Sequence, residues 1–186
     1  GYRTDVASSN LIQNEELASL LKKYDVRLAM TGHAHFQYIL EKDGLWEILS
    51  GMPFSGGHLV GNLAVGGDRA VYYAEPIDFA SYGNNISERL EELDRESTLD
   101  MKSVISQLLD QEGLSGSQKK QILKLLGRYF LSYSEGTLME HVEELLKDPA
   151  YEQMIQALDG YNYGPWIKQM IESTAHSSRE LEIKLR

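Results

Sequence analysis

Two of the chain's five histidines stand one alanine apart, in residues 31–37, TGHAHFQ. In an extended segment residues i and i+2 point the same way, so His33 and His35 are expected to direct both imidazoles into one cleft. Imidazole is neutral near pH 7 and offers a lone pair without first losing a proton, which makes it a common metal ligand. Ala34 lets the backbone pass close to an ion, and Gly32 is expected to supply dihedrals that a β-carbon resists. The pattern suits one metal held by both rings, or two metals held by one ring each. His-x-His also arises by chance, as two rings hydrogen-bonded at a strand end, so its position has to add weight.

That position comes from the elements before it. Leu17, Leu20, Leu21 and Tyr24 recur at i, i+3, i+4 and i+7, which predicts an amphipathic helix, with Asn14 as its N-cap and Glu15 and Glu16 in the first turn. VRLAM, 26–30, is apolar at nearly every position, as expected of a strand buried on both faces. Helix then strand is half of a βαβ unit, and TGHAH falls at the strand's C-terminal end, where open α/β sheets bind ligands. Further strands are expected at 36–40, 45–50, 58–65 and 69–75. The turn residues Lys42-Asp43-Gly44 and Gly66-Gly67-Asp68 would join them as two antiparallel hairpins.

With these elements in place, LLKKYDVRLAMTGHAHFQ resembles the last signature block of the calcineurin-like metallophosphoesterases. In that family Gly-His-x-His gives one ligand to each metal of a binuclear centre. DGLWEILSGMPF, GNLAV and VYYAEPIDF are similar to the closing hairpins of bacterial members, including those likened to cyclic-nucleotide phosphodiesterases, and some of these also carry a helical C-terminal domain. The resemblance covers roughly residues 1–80 and is most specific at 20–40. It implies an α+β chain: residues 1–82 would form the C-terminal portion of an α/β metallophosphoesterase sandwich, and 83–186 an α-helical bundle. It also implies two divalent ions, with Mn, Fe or Zn favoured by imidazole and Mg compatible, and a small phosphoester substrate such as a cyclic nucleotide. His33 and His35 would be the metal ligands, with no catalytic or substrate-binding residue assigned.

The family's earlier blocks, Asp-x-His, Gly-Asp-x-x-Asp, Gly-Asn-His and a lone His, are not found here. A pair of ions ~3.5–4 Å apart needs more ligands than two histidines. The expectation is therefore that this chain is the C-terminal part of a larger enzyme, inactive alone and completed by the preceding part of the same domain. Gly61-Asn62-Leu63 lacks the histidine of the asparagine block and reads as a strand or turn. His58 reads as a loop or strand-end residue, His141 as part of a solvated helix face and His176 as a helix end. Phe36 and Gln37 are expected to form strand rather than line a rim.

Beyond residue 83 helical periodicity takes over. Ile86, Leu90 and Leu93, then Met101, Val104, Ile105, Leu108 and Leu109, predict one long helix. Ile122, Leu125, Leu126, Tyr129, Phe130 and Tyr133 predict another, opened by a Ser115 or Ser117 cap. Leu138, Val142, Leu145 and Leu146 predict a third, closed by Asp148-Pro149, which also opens a helix bearing Tyr151, Met154, Ile155 and Leu158. Trp166, Ile167, Met170 and Ile171 follow a Gly164-Pro165 break, and EIKLR reads as a frayed end. Core packing accounts for most of the aromatic content of this half.

Composition bounds the rest. The chain has 186 residues, 42% apolar and 25% charged, with no cysteine, so disulfides and thiolate chemistry are excluded. A net charge of -10 disfavours binding to nucleic acid or an anionic membrane. No apolar run is long enough to span a bilayer, and GYRTDVASSN shows no export signal. A soluble protein is expected, with cytoplasmic and exported locations both compatible. The glycines of 51–67 lack a P-loop lysine and read as turns and a close-packed hairpin. Asn85-Ile86-Ser87 reads as a helix cap rather than a glycosylation site. The competing functional reading is a non-catalytic helical interaction module with a β-rich remnant.

Overall fold

The computed structural model describes residues 15–32, 35–54, 56–161, 163–174 and 176–185, the side chains of 84 and 96–101 excepted. Over these described residues the fold is mixed α and β, with two three-stranded sheets and a layer of helices. α1, Glu15–Lys23, has Glu15 and Glu16 in its first turn and Lys22 and Lys23 in its last, each matched to the helix dipole. Asn14, its expected cap, lies outside the described residues. A left-handed Asp25 (φ 56°) reverses the chain into β1, Leu28–Thr31.

β1 pairs in parallel with β3, Leu45–Leu49, which pairs antiparallel with β2, Tyr38–Lys42, in the order β1-β3-β2. The β2–β3 hairpin turns through Asp43 (φ 52°) and Gly44 (φ 81°), both left-handed as a type I′ turn requires. β4, Leu59–Gly66, and β5, Arg69–Pro76, form the second hairpin around Gly67 (φ 62°). Both hairpins expected from the turn residues are present, although β2 starts two residues later than expected.

The strand expected to be buried on both faces is instead an edge. Among the described residues β1 pairs with β3 alone, and its Met30 is 48% exposed. The segment expected to fray is β6, Glu180–Lys184, which pairs antiparallel with β5 and completes the sheet β4-β5-β6. Its alternation puts Leu181 and Ile183 opposite Tyr72 and Ala70, and burial of that face holds it in register.

Side-chain alternation divides the core. Ile39 and Ile48, with Leu28 and Trp46, pack against Tyr72, Leu63, Ala74 and Leu181, so the two sheets lie face to face. On the other face of the first sheet, Tyr38, Leu40, Leu45 and Leu49 join Leu109, Leu126, Tyr133, Trp166 and Met170 in one core with the helices. This apolar cluster includes residues from both sides of the boundary expected at 82/83.

The helices after residue 83 fall where the stripes predict them, although Val104 and Leu146 of those stripes are exposed. In α1 the expected stripe is not the buried face, since Leu17, Leu20 and Tyr24 are exposed and Ala18 is buried. α2, Asn84–Asp110, is one helix of 27 residues. α3, Gly116–Ser134, opens with a capping box in which Gln118 N–H donates to Ser115 Oγ at 3.3 Å and Ser115 N–H to Gln118 Oε1 at 2.9 Å. α4 is Leu138–Lys147, α5 Tyr151–Ala157 and α6 Tyr163–Ser173. Asp148 closes α4 and accepts the Ala150 N–H through Oδ1 at 3.0 Å, so α5 begins later than Asp148-Pro149 suggested. Gly164 lies within the first turn of α6 against Ile155, where a β-carbon would stand 2.2 Å from the carbonyl oxygen.

Candidate functional site

β1 and β3 run parallel, so their C-terminal ends lie at the same end of the sheet, and two loops leave from there. One is the histidine turn after Thr31; the other is the glycine-containing loop of residues 50–58. They are tied where they begin: Ser50 N–H donates to the Thr31 carbonyl at 2.9 Å.

His33 and Ala34 lie outside the described residues. His35 is solvent-exposed and left-handed (φ 59°), and its N–H donates to the Gly32 carbonyl at 3.2 Å. His35 itself is thus not in the extended conformation that the spacing suggests, while His33, the other half of the pair, lies outside the described residues. The unusual dihedral also falls on His35 and not on the glycine: a β-carbon on Gly32 would meet only Ser50 O, at 3.9 Å. The chain reverses between β1 and β2, which run in opposite directions beside β3.

The turn is anchored on both sides. Before it, Thr31 Oγ1 donates to Glu47 Oε1 at 2.8 Å, and Glu47 is fully buried on β3. After it, Phe36 stacks on Tyr133 with centroids 4.3 Å apart and reaches Phe130 and Trp166. Gln37 is also fully buried. Its Nε2 donates to Ser178 O at 2.6 Å and to Tyr72 Oη at 3.0 Å, which joins the entry of β2 to β5, the central strand of the other sheet, and to the segment before β6. Phe36 and Gln37 thus serve as internal anchors just ahead of β2, and neither lines a rim.

Glu47 is the residue that periodicity missed. In LWEIL it is a charged residue where Leu45, Ile48 and Leu49 are all buried, and a lone carboxylate in a strand so apolar was the available signal. Its charge reaches Tyr133, whose hydroxyl is held well above the ordinary tyrosine range by burial first, then by Tyr38 and Glu47. Tyr38 is raised by burial too, opposed by hydrogen bonds with Ser173 and Thr174.

The second loop is packed by its glycines. A β-carbon on Gly56 would lie 2.6 Å from Ser134 Cβ, and one on Gly57 2.9 Å from Glu135 Cα, so the loop fits closely over the end of α3. Within the following strand, Gly61 makes room for the Tyr72 ring, 2.6 Å from its would-be β-carbon. The glycines thus do the packing expected of them.

The remaining histidines stand apart in role. His58 directly precedes β4, as expected of a strand-end histidine; its Nε2 lies 2.7 Å from Asp94 Oδ2 and its Nδ1 3.1 Å from the Pro53 carbonyl oxygen. Asp94 Oδ1 also accepts the Gly56 N–H at 2.9 Å, so α2 holds this loop through one carboxylate. His141 is on the exposed side of α4, 3.8 Å from Glu144. His176 follows α6 and covers Trp46, with ring centroids 5.1 Å apart. Among the described residues no three His, Asp or Glu side chains are grouped to hold a metal ion.

The chain matches no family model, no curated protein and no solved structure. Its chemistry is therefore read from the site. No helix among the described residues is long and apolar enough to cross a membrane.

Proposed function

We propose that this chain forms the C-terminal part of a binuclear metal-dependent phosphoesterase, to which His33 and His35 each contribute one metal ligand. The observation that supports this reading is the place of the histidine turn: it leaves the C-terminal end of β1, preceded by α1 and parallel to β3. Crevices outside the carboxyl ends of parallel strands are where α/β sheets bind ligands. The described residues do not make a complete ion site. Under this reading the other donors, including a bridging carboxylate, belong to a preceding part of the same domain, which would meet the turn beside the free edge of β1.

Imidazole nitrogens suit Mn, Fe or Zn, and Mg is compatible with the carboxylate-rich remainder. Bound ions would supply an activated water and neutralise the phosphoryl oxygens of a small phosphoester, a cyclic nucleotide being one candidate. This chain's share is to present the two imidazoles on a turn fixed by buried contacts at both ends. His33→Ala and His35→Ala, in the full-length protein, are each expected to lower hydrolysis of bis-p-nitrophenyl phosphate and of cyclic nucleotides by at least about a hundredfold, since loss of a metal ligand removes the ion's contribution. Undiminished turnover in both variants would sink the assignment.

A further inference from the structure

We infer that Glu47, acting through Thr31, is the positioning residue of the histidine turn. The inference deepens the metal-site reading above, yet its structural half stands on contacts alone. A fully buried carboxylate costs free energy unless it is hydrogen-bonded or serves a charge. Glu47 spends one oxygen on Thr31 Oγ1, at 2.8 Å, two residues before His33. The Thr31 carbonyl accepts the Ser50 N–H at 2.9 Å, so Thr31 is held from its side chain and its backbone at once.

Geometry explains why Glu47 can reach. In the parallel register Ala29 lies beside Glu47 and Thr31 beside Leu49, and alternation turns Thr31 and Glu47 to the same, helix-facing side. Across the turn, Phe36 is fixed on Tyr133, and Tyr133 feels the Glu47 charge. The two anchors of the turn thus meet in one buried region of sheet and helix. Such contacts behind a metal-binding histidine orient the ligand, and their removal typically weakens metal binding about 10–100-fold. In the metal-site reading, an ionised Glu47 would add to the attraction for a cation held at the turn.

The test has two arms. In the present 186-residue chain, amide hydrogen exchange reads the His35 N–H, which donates to the Gly32 carbonyl. Thr31→Val is expected to speed His35 exchange about fivefold or more relative to the Ile48 amide, because a hydroxyl tie is lost. Thr31→Ser should restore protection, and Glu47→Gln, which keeps an acceptor oxygen, should leave it within about twofold. In the full-length protein, Co(II) titration followed by absorbance should show affinity about tenfold weaker for Thr31→Val and for Glu47→Gln, with Thr31→Ser near the parent. Unchanged His35 exchange in Thr31→Val overturns the positioning role. If His33→Ala and His35→Ala leave Co(II) binding intact, the metal reading fails, and the exchange arm still decides the anchor. If the histidine variants lose the metal while Thr31→Val and Glu47→Gln keep it, the role of Glu47 toward the ion is overturned.

Discussion

Gln37 meets Gly136 where the strand layer touches the end of α3, and the fit leaves no space for a side chain. Gly136 is left-handed (φ 69°), and a β-carbon there would stand 2.8 Å from Gln37 Cγ. Gly136→Ala is expected to cost about 1–3 kcal/mol, as the sum of the left-handed penalty and a contact that has to give. Gly113 has the same handedness (φ 66°) with open space around it. Gly113→Ala should therefore lose only the conformational part, about 1 kcal/mol, and urea denaturation of the two variants separates the terms. Equal losses would mean that the Gln37 contact contributes nothing. The neighbouring histidines were visible as a pair, but the dihedral that bends their turn belongs to His35, which residue type alone does not announce.

Among the elements, α3 owes its start to a reciprocal cap and its burial to the stripe that includes Ile122, Leu125, Leu126, Tyr129 and Tyr133. Ser115→Ala is expected to cost about 0.5–2 kcal/mol and Ser115→Gly only a few tenths. Chemical denaturation checks the order, and a Ser115→Gly variant weaker than Ser115→Ala would contradict the capping account. Both the cap and the stripe could be read from sequence because each is local, spanning three or four residues. β6 was misread for the opposite reason. Its five residues alternate cleanly, but the strand they complete is β5, more than a hundred residues earlier, and Arg69 pairs with Lys184 only after the helices have turned the chain back.

At the scale of the whole molecule, the helix layer and the sheet share an aromatic core in which polar atoms are buried. The Tyr129 and Tyr133 hydroxyls and Trp166 Nε1 have no hydrogen-bond partner among the described residues. Burial, followed by neighbouring tyrosines, holds Tyr129 and Tyr133 well above the ordinary value of 10.0. As pH rises past 10, tyrosines of the unfolded chain release protons that the folded chain retains. The unfolded state then binds fewer protons, and stability falls with increasing pH. Stability from these groups is thus fully present below the unfolded pKa and lost above it. Tyr133→Phe removes a buried hydroxyl with no partner among the described residues, so it is expected to be neutral or about 1 kcal/mol stabilising at pH 7 and to show a shallower loss in alkali. Denaturation at pH 7 and above pH 10 measures both, and an unchanged alkaline slope would assign the loss to other groups.

By itself the sequence determined the elements with short-range causes: the helices of the second half, the two hairpins with their turn residues, and the cap of α3. These depend on periodicity and turn chemistry, which act over a few residues. Tertiary structure alone decided that β1 is an edge among the described residues, that the tail is a strand, and that His35 is left-handed with its N–H on the Gly32 carbonyl. It also decided that a buried Glu47 stands behind the histidine turn. Each of these depends on which distant segments arrive beside one another, because pairing and burial are properties of neighbours in space.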